Sequence, residues 1–88
     1  MNDIKLTKKQ MEYIMAKVKY NEVFLKYREH INKYEHVWQY NILGFIKIAE
    51  NAREITGLDQ AAERLEGLGK ELTAGDNIEL LNNIADFL

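Results

Sequence analysis

Eighty-eight residues with a net charge of −2 and an apolar share of 47% describe one globular domain with a modest core. The chain has no cysteine and no serine, which excludes disulfides, thiolate and serine nucleophiles and cysteine-based metal sites. It has no proline, which suits a mostly helical chain, and its longest apolar stretch, Ile42–Ala49, is interrupted by Gly44 and Lys47 and falls far short of the roughly 20 residues a membrane span needs.

Met1–Gln10 carries no apolar segment of secretory type, so a cytoplasmic protein is expected. A first helix is predicted over 7–30. Thr7-Lys8-Lys9-Gln10 forms a capping box, and Leu6 and Met11 occupy the two positions of a hydrophobic staple. Met11, Ile14, Met15, Val18 and Leu25 follow helical spacing.

Tyr13, Tyr20, Tyr27 and Tyr34 then recur at heptad intervals, three of them in the repeat Lys19-Tyr20, Lys26-Tyr27, Lys33-Tyr34. Phe24, Ile31 and Trp38 interleave with them in alternating steps of four and three, which is a heptad seam. A straight helix drifts only about 20° per heptad, so the tyrosines share one face. Glu22 with Lys26 and Glu29 with Lys33 are spaced as i,i+4 ion pairs.

A second helix is predicted over 33–56, capped by Asn32 with Glu35 behind it. Nothing between Thr7 and Thr56 compels a break, and one continuous helix would be roughly 75 Å long. A hairpin is favoured, because a lone helix of that length cannot bury its seam within so short a chain unless it dimerises. Ile42–Ala49 is apolar nearly all round and is expected to be central and buried, with Gly44 marking either a close helix approach or a tolerated glycine.

Gly57 suits a helix C-terminus, and Asp59 is expected to cap a third helix over 59–72 with Ala62, Leu65, Leu68 and Leu72 facing inward. Thr73-Ala74-Gly75 reads as a turn. Asp76, with Glu79, is expected to cap a fourth helix over 76–87 whose face is Ile78, Leu81, Ala85 and Leu88. The terminal Asp86-Phe87-Leu88 is expected to dock on its own core. The fold class is therefore all-α: one domain over 1–88, a small helical bundle built on a long amphipathic helix or helical hairpin plus two short C-terminal helices.

Residues 1–44 carry eight Lys/Arg against five Asp/Glu, and residues 45–88 carry four against nine. The basic and acidic halves permit head-to-tail association, although two ordinary solvated faces explain them as well. His30 and His36 are six positions apart and lie off register on a helix, and the two Glu-x-x-His motifs of a di-iron bundle are absent, so no metal and no cofactor are expected. No nucleophile–base pattern or glycine-rich phosphate loop is present, so no enzymatic activity is expected.

The tyrosine stripe is the candidate contact surface, because tyrosine suits an interface better than a dry core. The expected partner-binding residues are Tyr13, Tyr20, Phe24, Tyr27, Ile31, Tyr34 and Trp38. The expected function is a non-enzymatic protein-binding module, an inhibitor or regulator of phage or mobile-element type. Its target is another protein, with a homodimer as a further possibility. Two alternatives stand beside it: a nucleic-acid or nucleotide binder using the Lys-Tyr repeat, and a structural coiled-coil subunit. A helix-turn-helix in the last two helices is disfavoured, because residues 77–88 contain no Lys or Arg to meet phosphate.

Overall fold

The computed structural model describes residues 5–88; the first four positions of the Met1–Gln10 stretch lie outside them. Helix α1 spans Lys8–Asn32, α2 Val37–Tyr40, α3 Ile42–Thr56, α4 Leu58–Lys70 and α5 Ile78–Phe87, with a 3-10 turn at Ala74–Asp76 before α5. The described residues are 83% helical, and none of them forms a strand. The all-α helical bundle expected from the sequence is thus the observed fold, and among the described residues no helix is long and apolar enough to cross a membrane.

α1 starts where the capping box requires. The Gln10 N–H donates to the Thr7 hydroxyl at 3.1 Å, and the Thr7 N–H donates to Gln10 Oε1 at 2.8 Å. At ~1.5 Å per residue its 25 residues make a rod roughly 37 Å long. The other long helices pack along it.

The chain from α3 into α4 runs antiparallel to α1. Early positions of α1 meet late positions of α4, with Tyr13 beside Gly69, while Lys19 and Val23 sit against Thr56, Gly57 and Gln60. α3 and α4 are joined at Gly57, whose φ of 74° lies in the left-handed region that glycine enters at little cost. Arg53 donates to Asp59 across this joint at 2.9 Å. Asp59 therefore sits in the first turn of α4, and Gly57 takes the cap position expected of Asp59.

The chain does not form one helix from 7 to 56. After Asn32 the backbone tightens into i→i+3 bonds, Tyr34 N–H to Ile31 at 2.9 Å and Val37 N–H to Tyr34 at 3.0 Å. The new long helix begins at Ile42 rather than near Lys33. Asn41 caps it, extended at φ −155°, and its side chain accepts the Gly44 N–H at 2.9 Å. Gly44 leaves room for this cap: a Cβ there would stand 2.8 Å from Asn41 Nδ2. The glycine serves the cap, since the three atoms nearest to such a Cβ all belong to the Asn41 side chain.

α5 returns parallel to α1 on the half near the amino terminus. Asp76 does not cap it. Asp76 accepts the Thr73 N–H at 2.7 Å and the Gln10 amide at 3.0 Å, so it ties the turn to the start of α1. Asn77 is the cap, accepting the Leu80 N–H from a left-handed backbone. Tyr13, Ile14, Leu81 and Ala85 form the centre of the core, with Val18, Leu65, Leu68 and Leu72 packed around it.

Two expectations about burial are corrected. Ile42, Leu43 and Ile46 are exposed rather than central, and Phe87 and Leu88 stand in solvent at 95% and 82% exposure rather than docking. Both follow from where α5 ends. Leu88 and Asp86 reach only as far as Asn21–Leu25 of α1, and no third helix continues beside the α1–α3 hairpin. The surface charges pair differently from the helical spacing too. Among the described residues the ion pairs are Lys17–Asp86, Arg53–Asp59 and Lys70–Glu66, and neither Glu22–Lys26 nor Glu29–Lys33 closes.

Candidate functional site

The tyrosine stripe runs from the interior to the surface. Tyr13 is 6% exposed, and its hydroxyl donates to Asn82 Oδ1 at 2.7 Å, so the polar tip is satisfied inside the bundle. Tyr20, Tyr27 and Ile31 are half-buried. Tyr20 stacks on Phe24 with ring centroids 5.8 Å apart, and Phe24 meets Tyr27 at 6.3 Å. Tyr34 is on the surface beside His30, at 5.4 Å, and Trp38 is 53% exposed with its ring edge-on to Phe45 at 5.6 Å. The structure therefore brings Tyr20, Phe24 and Tyr27 together on α1, and the break after Asn32 separates Tyr34 and Trp38 from them. Tyr13 belongs to the core, and Phe24, Tyr34 and Trp38 belong to the surface.

The lysines of the Lys-Tyr repeat do not share the tyrosine face. One residue of helix is about 100° of rotation, so Lys19, Lys26 and Lys33 point to a neighbouring flank. The cation placed over a tyrosine ring is instead Lys17, 5.3 Å from the centroid of Tyr20.

A second pattern on α1 was not singled out by the sequence. Gln10, Ile14, Lys17, Asn21, Phe24, Arg28 and Ile31 advance in alternating steps of four and three, so they form one stripe. Its first four members are covered. Gln10 meets Asp76, Ile14 packs with Leu81 and Ala85, and Lys17 and Asn21 both reach Asp86 of α5. Phe24 lies level with the end of α5, and Arg28 and Ile31 lie beyond it.

On α3 the stripe Ile42, Ile46, Ala49 and Arg53 is rotated from buried Ala52, by about 60–120°, in the same sense as Phe24 and Ile31 are from Tyr27, by about 40–60°. In an antiparallel pair, flanks with the same sense of offset fall on the same side. Phe24, Ile31, Ile42, Ile46 and Ala49 therefore make one apolar face of the hairpin, in line with the lane that α5 occupies lower down. Trp38 and Tyr40 stand at its tip, where α2 turns the chain.

Among the described residues no polar or charged side chain is buried, and no three or more His, Cys, Asp or Glu side chains stand together as metal ligands. Two groups are perturbed. Asp59 raises Arg53 above its already high value through their hydrogen bond and charge, and hydrogen bonds led by the Thr73 N–H hold Asp76 below the usual carboxylate range. Both serve turns.

Fold and surface together define the class: an all-α helical bundle with a projecting two-helix hairpin whose apolar face is open. Comparison with protein-family models, curated proteins and solved structures finds no match to this chain.

Proposed function

We propose that this protein is a non-enzymatic interaction module that grips a protein through the open face of the α1–α3 hairpin. The observation that carries the reading is the uncovered half of the α1 stripe, opposite exposed Ile42 and Ile46. A domain element with an apolar side has to bury it against another layer. Here the chain supplies that layer only along α5. Exposed aromatics at the tip, Trp38 and Tyr40, are of the types that dominate binding energy at interfaces. The Lys-, Asn- and Ile-rich composition fits an AT-rich genome, and on that ground the module is proposed as a regulator or inhibitor of phage or mobile-element type.

The test is site-specific photo-cross-linking in cells. A photoreactive residue at position 46 is expected to give discrete adducts with protein, and one at position 63, on exposed α4, is expected to give none. Identical patterns from both positions, or no adduct from position 46, would sink the reading. Mass spectrometry of the adduct reports whether the captured protein is this chain or a different one.

A further inference from the structure

We infer that the protein seated on the hairpin is a second copy of this chain, so that two hairpins close into a four-helix bundle; this rests on the docking face proposed above. Three quantities support it. The chain has a radius of gyration of 16.5 Å, against about 12 Å for a compact domain of this length. Its accessible surface is 6967 Å², more than a fifth above the roughly 5,350 Å² of a compact monomer of 10.3 kDa. Phe24, Ile42 and Ile46 on the face, with Trp38 and Tyr40 at its tip, weighted by their exposures, leave roughly 570 Å² uncovered, about two thirds of the ~800 Å² each partner brings to a standard interface.

The face also suits pairing with itself. A two-fold contact uses the same patch on both subunits, so the patch must be complementary to itself. A flat apolar strip drawn equally from two antiparallel helices meets that condition, since turning it over presents the same strip again. Phe24, Ile31, Ile46 and Ala49 supply its apolar side chains, and Arg28, exposed on the same α1 stripe, can lay its stem along them with its head in water. Packing two helical hairpins face to face would cover the upper half of α1 as α5 covers its lower half. The body and the dimer contact would then share the single α1 stripe, one half closed within the chain and the other half between chains.

The experiment is light scattering with sedimentation equilibrium on the full chain, up to about 100 μM, for the wild type and three variants. Ile42→Glu and Ile46→Glu place a charge on the open face, and Ile55→Glu places one on the opposite flank of α3, where Ile55 is equally solvent-facing. The wild type is expected to be a dimer with a micromolar or tighter dissociation constant. Ile42→Glu and Ile46→Glu should weaken it by at least about 100-fold, reading as monomers, with far-ultraviolet circular dichroism unchanged because all three sites are exposed. Ile55→Glu should remain a dimer.

A monomeric wild type, an assembly larger than two, face variants that stay dimeric, or an Ile55→Glu change that dissociates the protein as strongly would each overturn the inference. A monomeric wild type that still cross-links a different protein from position 46 removes the second copy and leaves the docking face standing. The absence of any cross-link from position 46 removes both.

Discussion

The hydroxyl of Tyr13 provides a decisive perturbation, because it separates the buried end of the aromatic ladder from the exposed end. Tyr13→Phe removes one hydrogen bond of 2.7 Å to Asn82 Oδ1 in a site only 6% exposed. Such a bond contributes about 1–1.5 kcal/mol net when its partner is left partly unmet. At roughly 2.1 cal/mol/K per residue, 88 residues give an unfolding entropy near 0.18 kcal/mol/K, so each kcal/mol shifts Tm by about 5 °C. Tyr13→Phe is therefore expected to lower Tm by about 5–8 °C. Asn82→Ala leaves the buried hydroxyl without its acceptor and should cost a similar amount. The double variant should cost less than the two single changes together by about 1 kcal/mol, since both remove the same bond. Helix propensity at position 82 cancels in that cycle. Urea and thermal unfolding followed by circular dichroism measure all four proteins. Additivity to within about 0.3 kcal/mol would refute the bond and with it the assignment of Tyr13 to the core.

Three further outcomes follow from the packing. Leu81→Ala, at a side chain only 1% exposed, should cost about 3–5 kcal/mol, a large share of the roughly 4–13 kcal/mol expected for the whole domain, whereas Tyr40→Ala at the tip should cost less than about 1 kcal/mol; equal effects in urea unfolding would contradict the burial pattern. Gly57→Ala forces a side chain into the left-handed backbone between α3 and α4 and should lower stability by about 1–2 kcal/mol, read from the urea midpoint; a neutral result would mean the joint can re-form without that conformation. Asp76 has its folded pKa below the unfolded 3.8, so the unfolded state binds more protons as acid is added. Its contribution is present above about pH 4 and lost as pH falls through the lower folded value. Asp76→Asn should therefore flatten the pH dependence of the urea midpoint below that point, and an unchanged slope would argue against the Thr73 contact.

Local signals are legible in the chain where they act over one helical turn. The Thr7–Gln10 box and the left-handed Gly57 depend only on neighbouring residues, and both stand in the structure as the sequence implies. The break between the long helices was also favoured on physical grounds, but its position was missed. The Asn32–Glu35 spacing imitates a cap, whereas the working cap is Asn41 with Gly44 three residues on, a pair that lacks the Glu or Gln of the usual box. Asp76 misled for the same reason: its carboxylate is used by Thr73 and Gln10, and Gln10 is 66 positions away in the chain.

Periodicity by itself determined that the chain is helical and that α1 carries an aromatic ladder, because a heptad spacing fixes which side chains share a face whatever they touch. It could not say how far each rung is buried. That depended on where α5 stops, near Asn21–Leu25 of α1. The same stripe is core below that level and open surface above it. Ile42–Ala49 reads as an interior segment because its side chains are apolar on nearly every side, yet burial is a property of neighbours, and the tertiary structure half-buries Phe45, Ile48 and Ala49 while leaving Ile42, Leu43 and Ile46 exposed.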